Sequence, residues 1–137
     1  MQVVLDAGPL VAFLNQRDFN HEWALQHWRR IKPFMLTCEP VITEACFLAQ
    51  RMPGGPNGVM ELLSQGAVQI AFRLQDEIGA VGALMERYAN VPMSLADACL
   101  VRMLELDTGS TLFTTDSDFR IYRRHGRQVI PTIMPGK

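Results

Sequence analysis

The sequence lacks the features that mark secreted, membrane-spanning and zinc-binding proteins. No apolar run approaches the roughly 18–20 residues that a membrane helix needs, and the first residues carry neither a basic region nor a cleavage signal. The three cysteines show no Cys-x-x-Cys spacing and lie in apolar segments. This usage is typical of reduced core thiols. Together these absences predict a cytoplasmic protein with no membrane segment and no structural zinc.

A large excess of one charge is also missing. The 137 residues have a formal net charge of −1, with 48% hydrophobic and 20% charged residues. This composition predicts one globular domain, residues 1–137, rather than a disordered chain. It argues against a simple DNA-binding module, which would carry a basic footprint. It argues less strongly against an enzyme, because a metal in an acidic site changes the local charge.

Short apolar runs alternate with helical patterns along the chain. The predicted strands are 3–5, 34–37, 68–72, 111–115 and 128–130. The first predicted helix begins near Pro9, after a tight turn. Further helices are predicted to begin near Asn20, Pro40, Val59, Ile78 and Ser94, and a short basic helix is predicted over 119–124. Strands that alternate with helices predict an α/β domain with a mostly parallel sheet covered on both faces.

In the helix predicted from Ser94, the stretch 94–104 contains one carboxylate, Asp97, among apolar neighbours. The residues three and four positions later, Leu100 and Val101, share its face. Aspartate is rarely buried unless it has a partner. Two interpretations stay open: Asp97 closes a capping box with Ser94, or it points into a polar site cut into the core.

Four acids have reason to meet at one edge of the predicted sheet. Asp6 and Asp116 follow strands, and Glu44 and Asp97 lie near helix starts; in open α/β sheets the functional crevice lies at the carboxyl ends of the strands. Two like charges about 4 Å apart repel by roughly 4 kcal/mol at an effective dielectric near 20. Carboxylates that converge therefore favour a bound cation, and oxygen ligands select Mg²⁺ or Mn²⁺. The chemistry this predicts is metal-assisted phosphodiester hydrolysis.

These residues resemble a known family when they are taken in order. The pattern is Asp6 after the first strand, Glu44 in the helix after the second, Leu-Ala-Asp-Ala at 95–98, and Thr-Thr-Asp-Ser-Asp-Phe at 114–119. It is similar to the PIN-domain ribonucleases, and the size and element order are most similar to the VapC-type toxins of toxin–antitoxin pairs. The resemblance extends from Val3 to about Ile130.

The resemblance implies a three-layer α/β/α fold with a mostly parallel sheet of about five strands in the order 3-2-1-4-5. It implies catalytic carboxylates at Asp6, Glu44, Asp97 and Asp116, and metal ligands at Asp6, Asp97, Asp116 and Asp118. The expected cofactor is Mg²⁺ or Mn²⁺, and the expected substrate is RNA. The expected partners are a small antitoxin that covers the acidic site and a second copy of the chain in a homodimer. The slightly positive mean hydropathy and eight methionines also favour an exposed apolar surface for a partner.

One departure from the family pattern keeps a second function open. The family often has a hydroxyl residue just after the first aspartate, whereas this chain has Ala7 and Gly8. A non-catalytic PIN-like module that binds RNA or protein is therefore the alternative. A phosphatase with Asp6 as nucleophile is disfavoured, because no second aspartate follows two residues later.

Arginines near the last acidic pair are candidates for phosphate binding. The chain has 11 arginines against two lysines, and Arg120 and Arg123 follow Asp116 closely. The planar guanidinium group suits phosphate. Thr115 is a further substrate-binding candidate. The alternative is an ordinary solvated helix face.

Overall fold

A computed structural model describes residues 1–136 and contains a five-stranded parallel sheet. The strands of this sheet are β1 (Val3–Leu5), β2 (Met35–Thr37), β3 (Val68–Ile70), β4 (Thr111–Phe113) and β7 (Thr132–Ile133). Their order across the sheet is β3-β2-β1-β4-β7, which confirms the predicted 3-2-1-4-5 arrangement with β7 as the fifth strand. The predicted single domain, 1–137, ends one residue beyond the described ones.

The sheet is held in register by its central strand, β1. Val4 pairs with Leu36 of β2 on one side and with Leu112 of β4 on the other. All three residues of β1 are buried, as expected for a parallel strand covered on both faces. The strand order reverses between β1 and β4, and this reversal places the ends of these two strands side by side.

Six α-helices surround the sheet in a three-layer α/β/α arrangement. Within the described residues they are α1 (Ala7–Leu14), α2 (His21–Arg30), α3 (Glu39–Ala49), α4 (Asn57–Ser64), α5 (Ile78–Arg87) and α6 (Leu95–Leu106). Short 3₁₀ turns cover Leu74–Glu77 and Ser117–Arg120. No helix in this part of the chain has the length and apolarity needed to cross a membrane.

Helix α1 begins earlier than its sequence predicts. There is no turn at Gly8-Pro9, because Asp6 itself caps α1 by accepting a hydrogen bond from the N–H of Ala7. Pro9 is the third residue of the helix rather than the first. Proline is tolerated throughout the first turn, since the N–H groups there have no partner within the helix. The first carboxylate is therefore placed at a helix N-terminus, directly after a strand.

The C-terminal segment differs most from the prediction. The helix predicted over 119–124 is wrong, because Arg123–Arg124 forms a strand, β5, that pairs antiparallel with β6 (Gln128–Val129). His125 and Gly126 adopt positive φ angles of 52° and 78° in the connection, which reverses the chain. The strand predicted over 128–130 thus belongs to this hairpin, and β7 supplies the edge of the main sheet.

Candidate active site

The two strand-end aspartates meet at the carboxyl edge of the sheet. Leu5 of β1 pairs with Phe113 of β4, and the N–H of Asp6 donates to the carbonyl of Phe113 over 3.0 Å. The chain then continues from Phe113 through Thr114 and Thr115 to Asp116. The parallel register therefore places Asp6 and Asp116 on neighbouring chain segments at this edge.

Asp6 is a buried carboxylate with two hydrogen-bond donors. It is 7% exposed, its Oδ1 accepts from the N–H of Ala7 over 2.8 Å, and its Oδ2 accepts from Oγ1 of Thr114 over 2.6 Å. Burial raises the pKa of Asp6 to about 7, although both hydrogen bonds lower it, and the charges of Asp97 and Glu44 raise it further. Near neutral pH this carboxyl group is therefore poised between its two protonation states.

Thr114 links the two strand-end aspartates, a role that the sequence analysis did not assign. Its Oγ1 donates to Asp6 and accepts a hydrogen bond from the N–H of Asp116 over 3.0 Å. The side chain is fully buried, so this hydroxyl is held in place by both partners. The signal in the sequence was the Thr-x-Asp spacing at 114–116, because a hydroxyl two residues before an aspartate can accept from its backbone N–H.

Asp97 lies in the first turn of α6, and its carboxylate has a partner from a distant segment. Ser94 caps α6 by accepting a hydrogen bond from the N–H of Asp97 over 3.0 Å. The half-buried carboxylate also accepts from the hydroxyl of Tyr122, with an Oη–Oδ2 distance of 2.9 Å. Burial raises the pKa of Asp97, the Tyr122 hydrogen bond lowers it, and the charge of Asp116 raises it. Tyr122 is the second residue of this site that the sequence analysis missed.

Glu44 lies at the outer side of the same cluster. It is exposed on α3, yet partial desolvation of its carboxyl group and the negative charges of Asp97 and Asp116 raise its pKa. The four predicted catalytic carboxylates thus influence one another electrostatically. Asp97 and Glu44 each interact with Asp6, and each also interacts with Asp116. They form one acidic cluster.

Asp118, the fifth predicted acid, is fixed by the 3₁₀ turn that follows β4. Its N–H donates to Oδ1 of Asp116 over 2.9 Å, so Asp116 caps this turn. The charge of Asp118 contributes to the raised pKa of the Tyr122 hydroxyl, after the effects of burial and of Asp97. Asp118 therefore lies within electrostatic reach of the acidic cluster.

The donors of the acidic cluster fit a hydrated divalent cation in their chemistry. Within residues 1–136, no three histidine, cysteine, aspartate or glutamate side chains lie close enough together to enclose a metal ion. Mg²⁺ does not require such a cage, since it keeps several waters and is usually held by one or two carboxylates. All the donors are oxygens. Burial is the largest cause of the raised pKa values of Asp6, Glu44 and Asp97, and the neighbouring carboxylates raise them further; a cation would offset this second, electrostatic contribution.

The predicted substrate-binding residues occupy different environments. Arg120 is exposed, whereas Arg123 is half-buried and its Nη1 donates to the carbonyls of Arg120, Ile121 and Tyr122. Thr115 is half-buried against Gly8 of α1. An added Cβ at Gly8 would lie 2.1 Å from Oγ1 of Thr115, so the threonine hydroxyl occupies the space of a side chain at position 8.

An apolar groove of about 640 Å³ adjoins the acidic cluster. Phe47 of α3, Leu74 and Leu95 supply apolar walls, and Glu39 and Glu44 lie along the same groove. The Phe47 side chain is 69% exposed. Because Glu44 lines the groove and also belongs to the acidic cluster, the groove leads directly to the acidic cluster.

Comparison with known proteins places the chain in a family. The sequence model of the PIN domain matches residues 3–124, whereas a search of curated proteins found no match. Among solved structures, the chain resembles VapC20 of Mycobacterium tuberculosis, described as a toxin that cleaves the sarcin–ricin loop. The TM-score is 0.76 at 20% sequence identity, over 95% of this chain and 100% of that chain. Since the PIN-domain match spans most of its length, the chain belongs to the PIN-domain family.

Proposed function

We propose that this protein is a metal-dependent endoribonuclease that hydrolyses RNA phosphodiester bonds. The observation that supports this most is the acidic cluster at the strand reversal, where Asp6, Glu44 and Asp97 all have raised pKa values. A buried carboxylate such as Asp6, with further negative charges close to it, destabilises a fold unless a counter-charge is present. A cation-binding role gives a physical reason for this arrangement.

Asp6, Asp97, Asp116 and Asp118 would hold Mg²⁺ or Mn²⁺ through carboxylate oxygens and water. When bound, the ion supplies an activated water and neutralises charge on the scissile phosphate. Thr114 keeps Asp6 and Asp116 in fixed relative positions. Glu44, exposed and with a raised pKa, is suited to exchange a proton with the attacking water at its carboxylate.

The RNA backbone would lie along the segment that follows the acidic cluster. Arg120 is exposed and follows Asp116 of the acidic cluster by four residues. Thr115 and Arg123 lie on the same segment of the chain. Arginine binds phosphate through its planar donor fork. With a net charge of −1, the chain as a whole supplies little attraction for RNA, so the proposed binding depends on contacts made by individual arginines such as these.

The proposed biological role is the toxin of a toxin–antitoxin pair in the cytoplasm. The likeness to VapC20, which is described as an RNA-loop-cleaving toxin, supports this role. The apolar groove that leads to Glu44 is suited to an antitoxin segment with apolar side chains followed by a cationic one. A homodimer belongs to the same proposal.

The first test compares wild type with Asp97→Asn and with a control, Asp76→Asn. Asp76 is an exposed aspartate that pairs with Arg73, and its charge is not among those that raise the pKa values of Asp6, Glu44 and Asp97. A cation at 100 times its dissociation constant stabilises a protein by about 2.7 kcal/mol, which moves the melting temperature by several degrees. Mn²⁺ should therefore stabilise wild type and the control, and both should cleave RNA, while Asp97→Asn loses both properties. Cleavage by a folded Asp97→Asn protein would contradict the proposal.

A non-catalytic module that binds RNA is the second candidate. It is favoured by Ala7 and Gly8, where the family often has a hydroxyl residue. The nearby Thr115 hydroxyl weakens this argument, because it lies against Gly8. If the module is non-catalytic, RNA binding should be insensitive to chelator and no cleavage should occur; turnover that a chelator abolishes would exclude it.

A further inference from the structure

Tyr122 places a hydroxyl in the core and directs it at a carboxylate of the acidic cluster. The side chain is 0% exposed and is among the largest that are fully buried. A buried hydroxyl destabilises the fold unless it has a partner, and the partner here is Oδ2 of Asp97 at 2.9 Å. A phenylalanine would fill nearly the same volume without this requirement. The hydroxyl is therefore tied to Asp97 rather than to packing.

The ring of Tyr122 is held rigidly by other aromatic rings. It makes edge-on contacts with Tyr88 and Phe119, each with a centroid distance of 5.1 Å. Phe119 directly follows Asp118 on the 3₁₀ turn. Because such contacts fix the ring plane, the position of the Tyr122 hydroxyl is determined by the core. The same aromatic contacts connect Asp97 on α6 to the segment that carries Asp116 and Asp118.

We propose that Tyr122 is a positioning residue that orients the Asp97 carboxylate for a divalent cation. This inference rests on the proposed metal-dependent function. The Tyr122 hydroxyl engages Oδ2 and thereby restrains the rotamer of Asp97. Hydrogen bonding from Ser94 also lowers the pKa of this carboxyl group, but less than Tyr122 does, and Ser94 lies on the same helix terminus as Asp97. Without the Tyr122 hydroxyl the half-buried carboxylate loses its partner from a distant segment, and cation binding then has to restrict the freedom that it gains.

The expected size of the effect follows from other metal sites. Loss of a hydrogen-bonding partner of a ligand typically weakens metal affinity or activity by about 10–100-fold. Tyr122→Phe should weaken Mn²⁺ binding by about this factor and raise the Mn²⁺ concentration needed for RNA cleavage. At saturating Mn²⁺ its cleavage rate should approach that of wild type, because no group that contacts the RNA is changed.

Tyr88→Phe is the matched control. Tyr88 belongs to the same aromatic contacts, but its hydroxyl accepts from the N–H of Arg123 over 3.0 Å and has no bond to Asp97. Mn²⁺ affinity is measured by calorimetry on the three apo proteins, with melting temperatures recorded alongside. Each substitution removes one hydrogen-bonded hydroxyl from the same aromatic contacts, fully buried at Tyr122 and half-buried at Tyr88. A purely structural role would therefore lower the melting temperature and leave Mn²⁺ affinity unchanged.

The outcomes separate this inference from the proposed function. Weaker Mn²⁺ binding in Tyr122→Phe alone, with affinity retained in Tyr88→Phe, supports it. Equal affinity in wild type and Tyr122→Phe, or an equal loss in both variants, overturns the positioning role but leaves the metal-dependent function in place. A wild-type protein that binds no Mn²⁺ overturns both. Should Tyr122→Phe melt below the assay temperature, the same titration at 4 °C decides the point.

Discussion

The buried Asp6 makes the stability of the metal-free protein depend on pH in a defined direction. Burial raises its pKa from an ordinary value of 3.8 to about 7 in the folded state. At pH values below 3.8 the group is protonated in both folded and unfolded chains, so its contribution is constant. As the pH rises towards 7, the unfolded chain ionises freely while the folded chain resists. The folded state therefore loses stability over this window.

The magnitude follows from the two pKa values. At 1.36 kcal/mol for each pH unit between them, ionisation of Asp6 costs the folded state about 4 kcal/mol, of which about 2–3 kcal/mol falls between pH 5 and pH 8. Asp6→Asn removes this loss, because the amide does not ionise. The substitution also disturbs one hydrogen bond, to Thr114 or to Ala7, which costs about 1 kcal/mol at every pH.

The assay is urea unfolding in the presence of a chelator, at pH 5 and at pH 8, for wild type and Asp6→Asn. Trp23 packs against Phe113 with a ring-centroid distance of 5.2 Å, so its fluorescence reports loss of the core. The free energy of unfolding of wild type should fall relative to Asp6→Asn by about 2–3 kcal/mol between the two pH values. Acids outside the acidic cluster titrate in both proteins and cancel in the comparison, whereas Asp97 and Glu44 interact with Asp6 and add to the measured difference.

Identical pH slopes for wild type and Asp6→Asn would refute this reasoning. Mn²⁺ provides an internal check at pH 8, because a cation at the acidic cluster offsets the charge of Asp6. It should restore the stability of wild type and have little effect on Asp6→Asn. Stabilisation of both proteins by the same amount would place the ion elsewhere.

The remaining predictions concern stability alone. Gly8→Ala should destabilise the fold by about 1–3 kcal/mol, because the new Cβ overlaps the Thr115 hydroxyl; Thr115→Ala in the same chain should recover part of the loss in thermal melts. Gly79→Ala, in open space on α5, should instead stabilise by up to about 1 kcal/mol, and a loss there would undermine the steric argument. Arg124→Ala should cost about 1–3 kcal/mol in urea unfolding, because this buried guanidinium donates to the carbonyls of Leu104 and Thr108 at the end of α6. The exposed Arg127 is its control: Arg127→Ala should change stability by less than about 0.5 kcal/mol, and equal effects would refute a special role for burial.

Much of the fold could be predicted from the sequence because its signals are local. The apolar runs before Asp6 and Asp116 are short and buried, and an acid follows directly after the first and three residues after the second, which is the pattern of parallel strands that end at a site. The α6 helix was predicted from its apolar faces and the cap at Ser94, and both are present. The helix predicted over 119–124 was wrong because its signal was composition alone. The reversal at His125–Gly126 depends on positive φ angles, which arginine-rich flanking residues do not indicate.

By itself, the sequence determined the alternation of strands and helices and the order in which the acids occur, since both depend on neighbours close in the chain. Tertiary structure alone decided what these acids experience. Asp6 has a raised pKa because distant segments bury it, and Asp97 is oriented by a tyrosine 25 residues away. Thr114, Tyr122 and the Gly8–Thr115 contact took on their roles only when the strand reversal placed β1 beside β4. Burial and hydrogen-bond partners are properties of packing, and residues far apart in the chain supply them.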